Sequence, residues 1–585
     1  MEKVKITING QELEVPSNYT VLKAAEENGI YIPRLCFMEG LHEDSNCRVC
    51  AVEIEGQRTL KNSCKMPIHD GMVVKTNTKR VKTAVKQNLE LTAANHIFEC
   101  WKCTREHNCE FLDLLRYFDV DNSIGEDNNY EKNERIVTTD SDTIVLDSGK
   151  CTLCGRCISA CSKQAGLDIL AFNNRGAETI VGPANMHSME DSGCIYCGKC
   201  IQACPVAAIK EADGIEATLE ALDDEDVLTV VMAAPSIRTA LGEEFGMPIG
   251  TNVEGKMYGA FKALGFDDIA DVNFGADLTI MEEGTELLNR IQNGGKLPMF
   301  TSCSPGWIRY IEQYAPEYLE HLSTCKSPQQ MAGASIKSYW AQKHNIDPKK
   351  IKVVSIMPCI AKKNEANRPQ MEVDGIRDVD IVITTREFAR LIKRKRIDFE
   401  KLERFEPKGL LAQFTGAGNI FGATGGVMEA ALRTVTEILE GKDLERLDFE
   451  VVRGIKDIKE ATLTIAGQEI NIAVVHGGAA IIEFMEILRT TDKQYHFVEF
   501  MGCTGGCVNG GGQPIMPANI YEKIDVRAER AKVLYAEDAA LPLRKSHESP
   551  AIKAIYADLF GEPGSHSAHK HLHTTYAKKE FYHED

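Results

Sequence analysis

Apolar and polar residues change their period several times along the chain, and each change predicts an element. Val4-Lys5-Ile6-Thr7-Ile8 alternates, turns at Asn9-Gly10 and alternates again through Glu12-Leu13-Glu14-Val15, which predicts a hairpin. Helical spacing follows over Val21–Asn28 and again over Val81–Leu91. Asp121–Thr138 carries no period, is rich in Asn, Asp and Glu, and reads as a loop or linker. From Leu228 onward, strand-like runs at Leu228–Ala233, Val353–Met357, Ile381–Thr384 and Ile472–Val475 are separated by helical segments such as Glu429–Leu439. That order predicts an α/β domain with largely parallel strands.

With 585 residues, several domains are expected. A net charge of -19 argues against nucleic acid or an anionic membrane surface as partner. The longest apolar run, around Val227–Ala234, suits a buried strand and not a membrane span. The chain opens without an apolar signal segment and contains no Arg-Arg pair, so a cytoplasmic location is expected. In that compartment the 20 cysteines are not a disulfide framework, because thiols there stay reduced. They are clustered, with none between Cys204 and Cys303, and metal binding is the leading reading.

Cys36, Cys47, Cys50 and Cys64 combine separated ligands with a Cys-x-x-Cys pair, as in plant-type [2Fe–2S] ferredoxins, although the first gap is longer. A Cys-x-x-Cys pair alone could hold zinc; the preceding strand–turn–strand–helix favours a β-grasp ferredoxin. His96 precedes Cys100, Cys103 and Cys109 and is read as their fourth ligand, with structural zinc as the minority reading. Cys151, Cys154, Cys157 and Cys161 follow Cys-x2-Cys-x2-Cys-x3-Cys, and Cys194, Cys197, Cys200 and Cys204 repeat it before Pro205. This is the bacterial two-[4Fe–4S] pattern, in which the fourth cysteine of each run ligates the other cluster. Cys204 should join Cys151, Cys154 and Cys157, and Cys161 should join Cys194, Cys197 and Cys200. Residues 1–210 thus carry ligands for about four clusters, an electron wire.

Three motifs hold four of the five remaining cysteines: Thr301-Ser302-Cys303-Ser304-Pro305-Gly306-Trp307, Met357-Pro358-Cys359-Ile360-Ala361-Lys362-Lys363, and the glycine-rich Met501-Gly502-Cys503-Thr504-Gly505-Gly506-Cys507. Together, behind the front cluster sites, they resemble the signatures of [FeFe]-hydrogenases. The resemblance implies an H-cluster, a [4Fe–4S] cube joined through cysteine to a diiron unit with CO, cyanide and azadithiolate. It implies Cys359, Cys503 and Cys507 as cube ligands, with Cys507 the bridge. The family's first motif has two adjacent cysteines, a proton carrier and then a cube ligand; here Cys303 is followed by Ser304. Three readings compete: Ser304 ligates through oxygen, Cys303 ligates and the proton route changes, or the motif rearranges. The first is favoured.

Glu283, Glu286 and Arg290 share one helical face, and from spacing alone a solvated charge stripe is the better reading. The resemblance implies a relay from Cys303 through Glu283, Ser323 and Glu286 towards Arg290. It implies Lys362 as a donor to a diiron cyanide, and Pro235, Ser236, Gln329, Met357, Pro358, Phe421 and Met501 as pocket residues. The glycine run from Thr415 to Gly426 does not satisfy G-x-G-x-x-G and lacks a Walker lysine; it suits a close backbone wall. His566, His569, His571 and His573 are read as compositional, in a terminal extension of the catalytic domain, and Cys325 as a simple buried thiol.

The expected architecture is multidomain α+β and α/β. Residues 1–78 form a β-grasp [2Fe–2S] ferredoxin, 79–120 a His-Cys cluster segment and 141–212 a two-[4Fe–4S] ferredoxin. Residues 225–545 form a large α/β H-cluster domain, and 546–585 a C-terminal extension. Expected cofactors are the H-cluster, three accessory [4Fe–4S] clusters and one [2Fe–2S] cluster. The order of parts is similar to the hydrogen-activating subunit of NADP-reducing and electron-bifurcating complexes, which implies flavin/NAD(P)-binding and small Fe–S partner subunits, or ferredoxin. A ferredoxin-linked hydrogenase acting alone, an H2 sensor and a non-hydrogenase electron-transfer or assembly protein are the alternatives.

Overall fold

The computed structural model describes residues 2–121, 135–444 and 446–582, so most of the polar Asp121–Thr138 stretch lies outside the described residues. The chain divides into two compact units: residues 1–192, 199–210 and 515–523, and residues 193–198, 211–514 and 524–585.

In the first unit the hairpin forms as Lys3–Ile8 against Gln11–Pro16, with Val4 opposite Val15 and Ile6 opposite Leu13. Asn9 and Gly10 both take positive φ, as a tight hairpin turn between right-twisted strands requires. Period-two alternation puts Ile6, Ile8, Leu13 and Val15 on the buried face. The sheet has five strands in the order Gln11–Pro16, Lys3–Ile8, Val73–Lys75, Ala51–Ile54, Lys61–Asn62. Thr20 Oγ1 accepts from the Lys23 N–H at 3.2 Å and starts helix Val21–Glu27, whose Val21, Leu22, Ala24 and Ala25 close the core. Helix Lys79–Asn95 buries Val81, Val85, Leu89 and Ala93, a four-residue repeat along one stripe.

The second unit contains two four-stranded sheets. One runs Asp268–Asp271, Leu228–Ala233, Ile351–Met357, Ile381–Thr384, with every pairing parallel. The other runs Met299–Phe300, Phe497–Met501, Gln468–His476, Ile458–Ile465. Its first two pairings are parallel, while Ile458–Ile465 and Gln468–His476 form an antiparallel hairpin. The central strands Leu228–Ala233, Ile351–Met357 and Phe497–Met501 are buried on both faces and read as nearly continuous apolar runs, as covered parallel strands do, while the edge strand Ile458–Ile465 alternates. The consequence for function is positional. Pro235, Cys303, Cys359 and Cys503 each stand just beyond the carboxyl end of a strand, where open parallel sheets place their ligands. No helix among the described residues is long and apolar enough to cross a membrane.

Candidate active site and accessory metal centres

The loops after those strand ends line a cavity. Its polar and sulfur lining comes from Cys303, Ser304, Gln329, Cys359, Lys362, Cys503 and Cys507. Its dry walls are Pro235, Val272, Ala276, Met357, Pro358, Phe421 and Met501. The Cys359 and Cys503 thiols lie against one another, and Cys507 adds a third. Glycine permits this convergence. A Cβ on Gly510 would stand 2.3 Å from the Pro358 carbonyl oxygen, and one on Gly506, at φ +87, 2.7 Å from the Thr424 nitrogen. From the second sequence run, Cys197 and Gly198 press on the same stretch: a Cβ on Gly198 would sit 2.7 Å from Gly511 Cα.

Ser304 caps helix Pro305–Tyr314 without a hydrogen bond from its side chain into that helix. Its Oγ instead accepts from the Gly502 N–H at 2.9 Å, which holds it beside the Cys503 loop and within the cavity. Lys362 Nζ donates to the Cys303 carbonyl at 3.0 Å and to both oxygens of Glu365 at 2.9 Å, so the ammonium is anchored by protein acceptors at the cavity wall. Ser236 does not line the cavity; its hydroxyl donates to the Cys507 carbonyl at 3.2 Å and so steadies that loop from behind.

The three charged residues of the helical face lie on Val272–Asn293, and they are not a solvated stripe. Glu283 is buried and no hydrogen bond to its carboxylate closes, with Ser323 and the Ser302 main chain as the polar groups that face it. Burial first, then the Glu286 charge, pushes its pKa up to about 8. Burial, then Glu283, also holds the Cys303 thiol well above the ordinary range, opposed by Lys362. Ser323 Oγ donates to Glu286 Oε2 at 3.0 Å, and Arg290 Nη2 donates to Glu286 Oε1 at 2.6 Å. The partly exposed Arg290 is held by the carbonyls of His321 and Leu322 at 3.2 and 2.6 Å. Spacing alone misses this burial because it arises from tertiary packing of the helix on Pro328–Ser335 and Gly426–Glu440, remote in sequence.

The residues expected as accessory ligands group as follows. Cys36 and Cys47 exchange N–H···Sγ contacts of 3.5 Å, and the Cys50 and Cys64 sulfurs are 3.3 Å apart. His96, Cys100, Cys103 and Cys109 line one cavity. Cys151, Cys154, Cys157 and Cys204 line another. Cys161 Sγ accepts from Ile169 N–H at 3.3 Å in the first unit, and Cys194 Sγ from Tyr196 N–H at 3.4 Å in the second.

Residues 227–511 match the family described as iron only hydrogenase large subunit, C-terminal domain, and 524–579 match iron hydrogenase small subunit. Residues 1–79 match a 2Fe-2S iron-sulfur cluster binding domain and 143–205 a 4Fe-4S dicluster domain. Iron hydrogenase 1 of Clostridium pasteurianum is 45% identical over 98% of this chain and 100% of its own length. The chain belongs to the iron-only hydrogenases. The NADP-reducing hydrogenase subunit HndD of Solidesulfovibrio fructosivorans is 42% identical over 99% of this chain and 100% of its own. Among solved structures, the [FeFe]-hydrogenase HydA1 of Chlamydomonas reinhardtii superimposes with a TM-score of 0.57 at 36% identity, covering 63% of this chain and all of that one.

The hydrogenase's residues fit the groups its family carries. The catalytic cavity offers three convergent thiols, a hydroxyl oxygen beside them, a dry wall and an anchored cation, a donor set suited to an anionic iron–sulfur cube. In the His96 cavity, Arg105 is buried and both its terminal guanidinium nitrogens lack a hydrogen-bond partner. An unpaired buried cation is costly unless an anion faces it, and a cluster held by thiolates is such an anion. Sequence reasoning missed Arg105, although its place two residues after Cys103 was a signal. It also missed Glu365, which gathers Lys362, Ser327 and Gln329 and stands three residues after Lys362 on helix Ala361–Ala366.

Proposed function

We propose that this hydrogenase is the catalytic subunit of a multi-subunit complex that interconverts H2 with protons and electrons, coupled to NAD(P) or ferredoxin. The observation that carries the catalytic reading is the meeting of Cys359, Cys503 and Cys507 in one dry cavity with Cys303, which faces the buried Glu283. When bound, the H-cluster supplies the metal pair at which the H–H bond is made or broken. Cys359, Cys503 and Cys507 would hold it, Cys507 as the residue that joins its two parts, and the Ser304 hydroxyl would be the fourth donor. Ser304 takes this role because its oxygen already sits against the Cys503 loop at Gly502. That leaves the Cys303 thiol free to carry protons.

Glu283 takes the proton next; a carboxyl with a pKa near 8 can hold and release it close to neutral pH. Ser323 and Glu286 continue the path through their 3.0 Å contact towards Arg290 and solvent. Lys362, fixed by Glu365, keeps a positive charge at the cavity wall, where a low dielectric strengthens it. Electrons enter over the Cys194–Gly198 loop, which packs on Gly511. Residues 1–210 supply the remaining cluster sites.

The partner reading rests on the full-length similarity to HndD, whose name makes it a subunit of an NADP-reducing hydrogenase. Flavin/NAD(P)-binding and small Fe–S subunits are the partners proposed, in the cytoplasm. Infrared spectroscopy of maturated enzyme tests the catalytic claim: bands from iron-bound CO and cyanide are expected, and their absence with the cubes intact would defeat it. Purification from the native host tests the second claim. Co-purification of a flavin-containing subunit is expected, and a homogeneous single-chain enzyme reducing ferredoxin would replace the complex with a stand-alone hydrogenase.

A further inference from the structure

Cys325 and the histidine-rich C-terminal segment are brought together by main-chain pairing. Lys326 N–H donates to the Leu572 carbonyl and Thr574 N–H to the Thr324 carbonyl, both at 2.8 Å, with Cys325 and His573 directly opposite each other between them. In an antiparallel ladder that is the non-hydrogen-bonded pair, in which the two side chains leave the same face and stand closest. Glu286 approaches them from helix Val272–Asn293, with its Oε2 3.9 Å from Cys325 Sγ. One ligand atom each from Glu286, Cys325 and His573 fall within 4.8 Å of one another.

The second observation is the way His573 is held. Its Nε2 is 3.0 Å from Glu282 Oε2, a buried carboxylate that also accepts from Gly564 N–H at 2.8 Å and from the Tyr556 hydroxyl. A carboxylate on one imidazole nitrogen fixes the tautomer and leaves the lone pair of the other for a metal, as in carboxylate–histidine–zinc arrangements. Here the other nitrogen, Nδ1, points to the same side as Glu286: the Thr324 hydroxyl lies 2.8 Å from it and 3.2 Å from Glu286 Oε2. The remaining partners of Glu286 Oε2 are Ser323 Oγ and Thr324 N–H, each at 3.0 Å, while Arg290 occupies Oε1.

We propose that Glu286, Cys325 and His573 form a binding site for a divalent cation of the zinc class, with Glu282 as the positioning residue behind His573. Sulfur, nitrogen and one carboxylate oxygen at this spacing suit a tetrahedral zinc whose fourth position is left to water. On binding, the Cys325 thiol gives up its proton to solvent and the Thr324 hydroxyl yields Nδ1 to the ion. The thiolate and the Glu286 carboxylate together balance the charge of the cation. Because Glu286 also lies on the proposed proton path, an occupied site closes that path. This consequence rests on the relay reading; the site itself does not.

The test uses the cluster-replete, full-length enzyme exposed to zinc ions and dialysed against a weak chelator, beside Cys325→Ser and His573→Ala. Wild type should retain one zinc ion more per chain than either variant. Zinc-edge X-ray absorption should show one Zn–S distance of about 2.3 Å. Glu282→Gln should bind zinc about tenfold more weakly, as loss of such a carboxylate does. Equal zinc in wild type and both variants, or a zinc spectrum without sulfur, overturns the site. Zinc should also slow H2 turnover in wild type while leaving both variants at their metal-free rate. Zinc bound with turnover unchanged would overturn the closure and count against the path through Glu286.

Discussion

The two kinds of metal site in this hydrogenase gather their ligands in opposite ways. In the His96 cavity, all four predicted ligands come from residues 96–109, so one short loop carries the site. In the catalytic cavity, the proposed ligands come from residues 303 to 507 and meet only because strand ends from two different sheets, Ile351–Met357 in one and Met299–Phe300 with Phe497–Met501 in the other, converge there. A local site tolerates changes elsewhere in the chain, whereas a site built at strand ends is only as exact as the packing beneath it. Gly506 and Gly510 show the cost of that exactness, since an added Cβ would press on the main chain of Thr424 or Pro358.

The largest effect should follow from removing the proposed bridge. Cys507→Ala should abolish H2 turnover and the CO and cyanide infrared bands, while electron paramagnetic resonance still detects the accessory clusters. Loss of the accessory signals as well would mean that the two regions are not independent. The contrast sharpens at the adjacent pair in the first motif. Cys303→Ala should lower turnover by about 10²–10⁴-fold, the range for a lost proton carrier, with the cube's iron content unchanged. Ser304→Ala should instead lower cube occupancy, and Ser304→Cys should restore or exceed it. Loss of the cube in Cys303→Ala would reverse the assignment.

The same contrast explains what was legible in the sequence. Cys-x-x-Cys runs are local, so ligand sets could be proposed from spacing, and Cys204 lines one cavity with Cys151, Cys154 and Cys157. The strands Leu228–Ala233 and Ile381–Thr384 were readable because a strand buried on both faces leaves an unbroken apolar run. Glu283 was not. Its helical spacing fits a solvated stripe equally well, and only the tertiary packing of its helix on Pro328–Ser335 and Gly426–Glu440 takes it out of water. The pairing of Cys325 with His573 was invisible for the same reason: it joins residues 248 positions apart (573 − 325) through a two-rung ladder.

A smaller effect, and one with a sign, belongs to Glu283. With its pKa near 8, the carboxyl is protonated at neutral pH and ionises as pH rises through that value. As a proton donor it therefore serves H2 formation below about pH 8, and as an acceptor it serves H2 oxidation above it. Rates of the two directions, measured under conditions where proton transfer limits turnover, should bend in opposite senses near this pH. Glu283→Gln should remove both bends and slow each direction by about 10²-fold or more. A bend that survives in this variant would assign the titration to another group.

The smallest effect should come from the local site, at Arg105. Its two free guanidinium nitrogens face the His96 cavity, where each electron added to a cluster makes the anion more negative. A fixed positive charge stabilises the reduced form more than the oxidised form, so it raises the reduction potential. Arg105→Gln keeps the hydrogen-bonding character and removes the charge. The potential of that one cluster should fall, by about 59 mV for every tenfold loss in relative stability of the reduced state. Redox titration followed by paramagnetic resonance would measure the shift, with the other accessory clusters as internal controls. H2 turnover with a strong artificial reductant should change little, because the catalytic cavity is untouched. A cluster that fails to assemble in Arg105→Gln would show instead that the arginine's main role is to offset the thiolate charge during insertion. Even that outcome would keep the site local, because Arg105 belongs to the same 96–109 loop as the ligands.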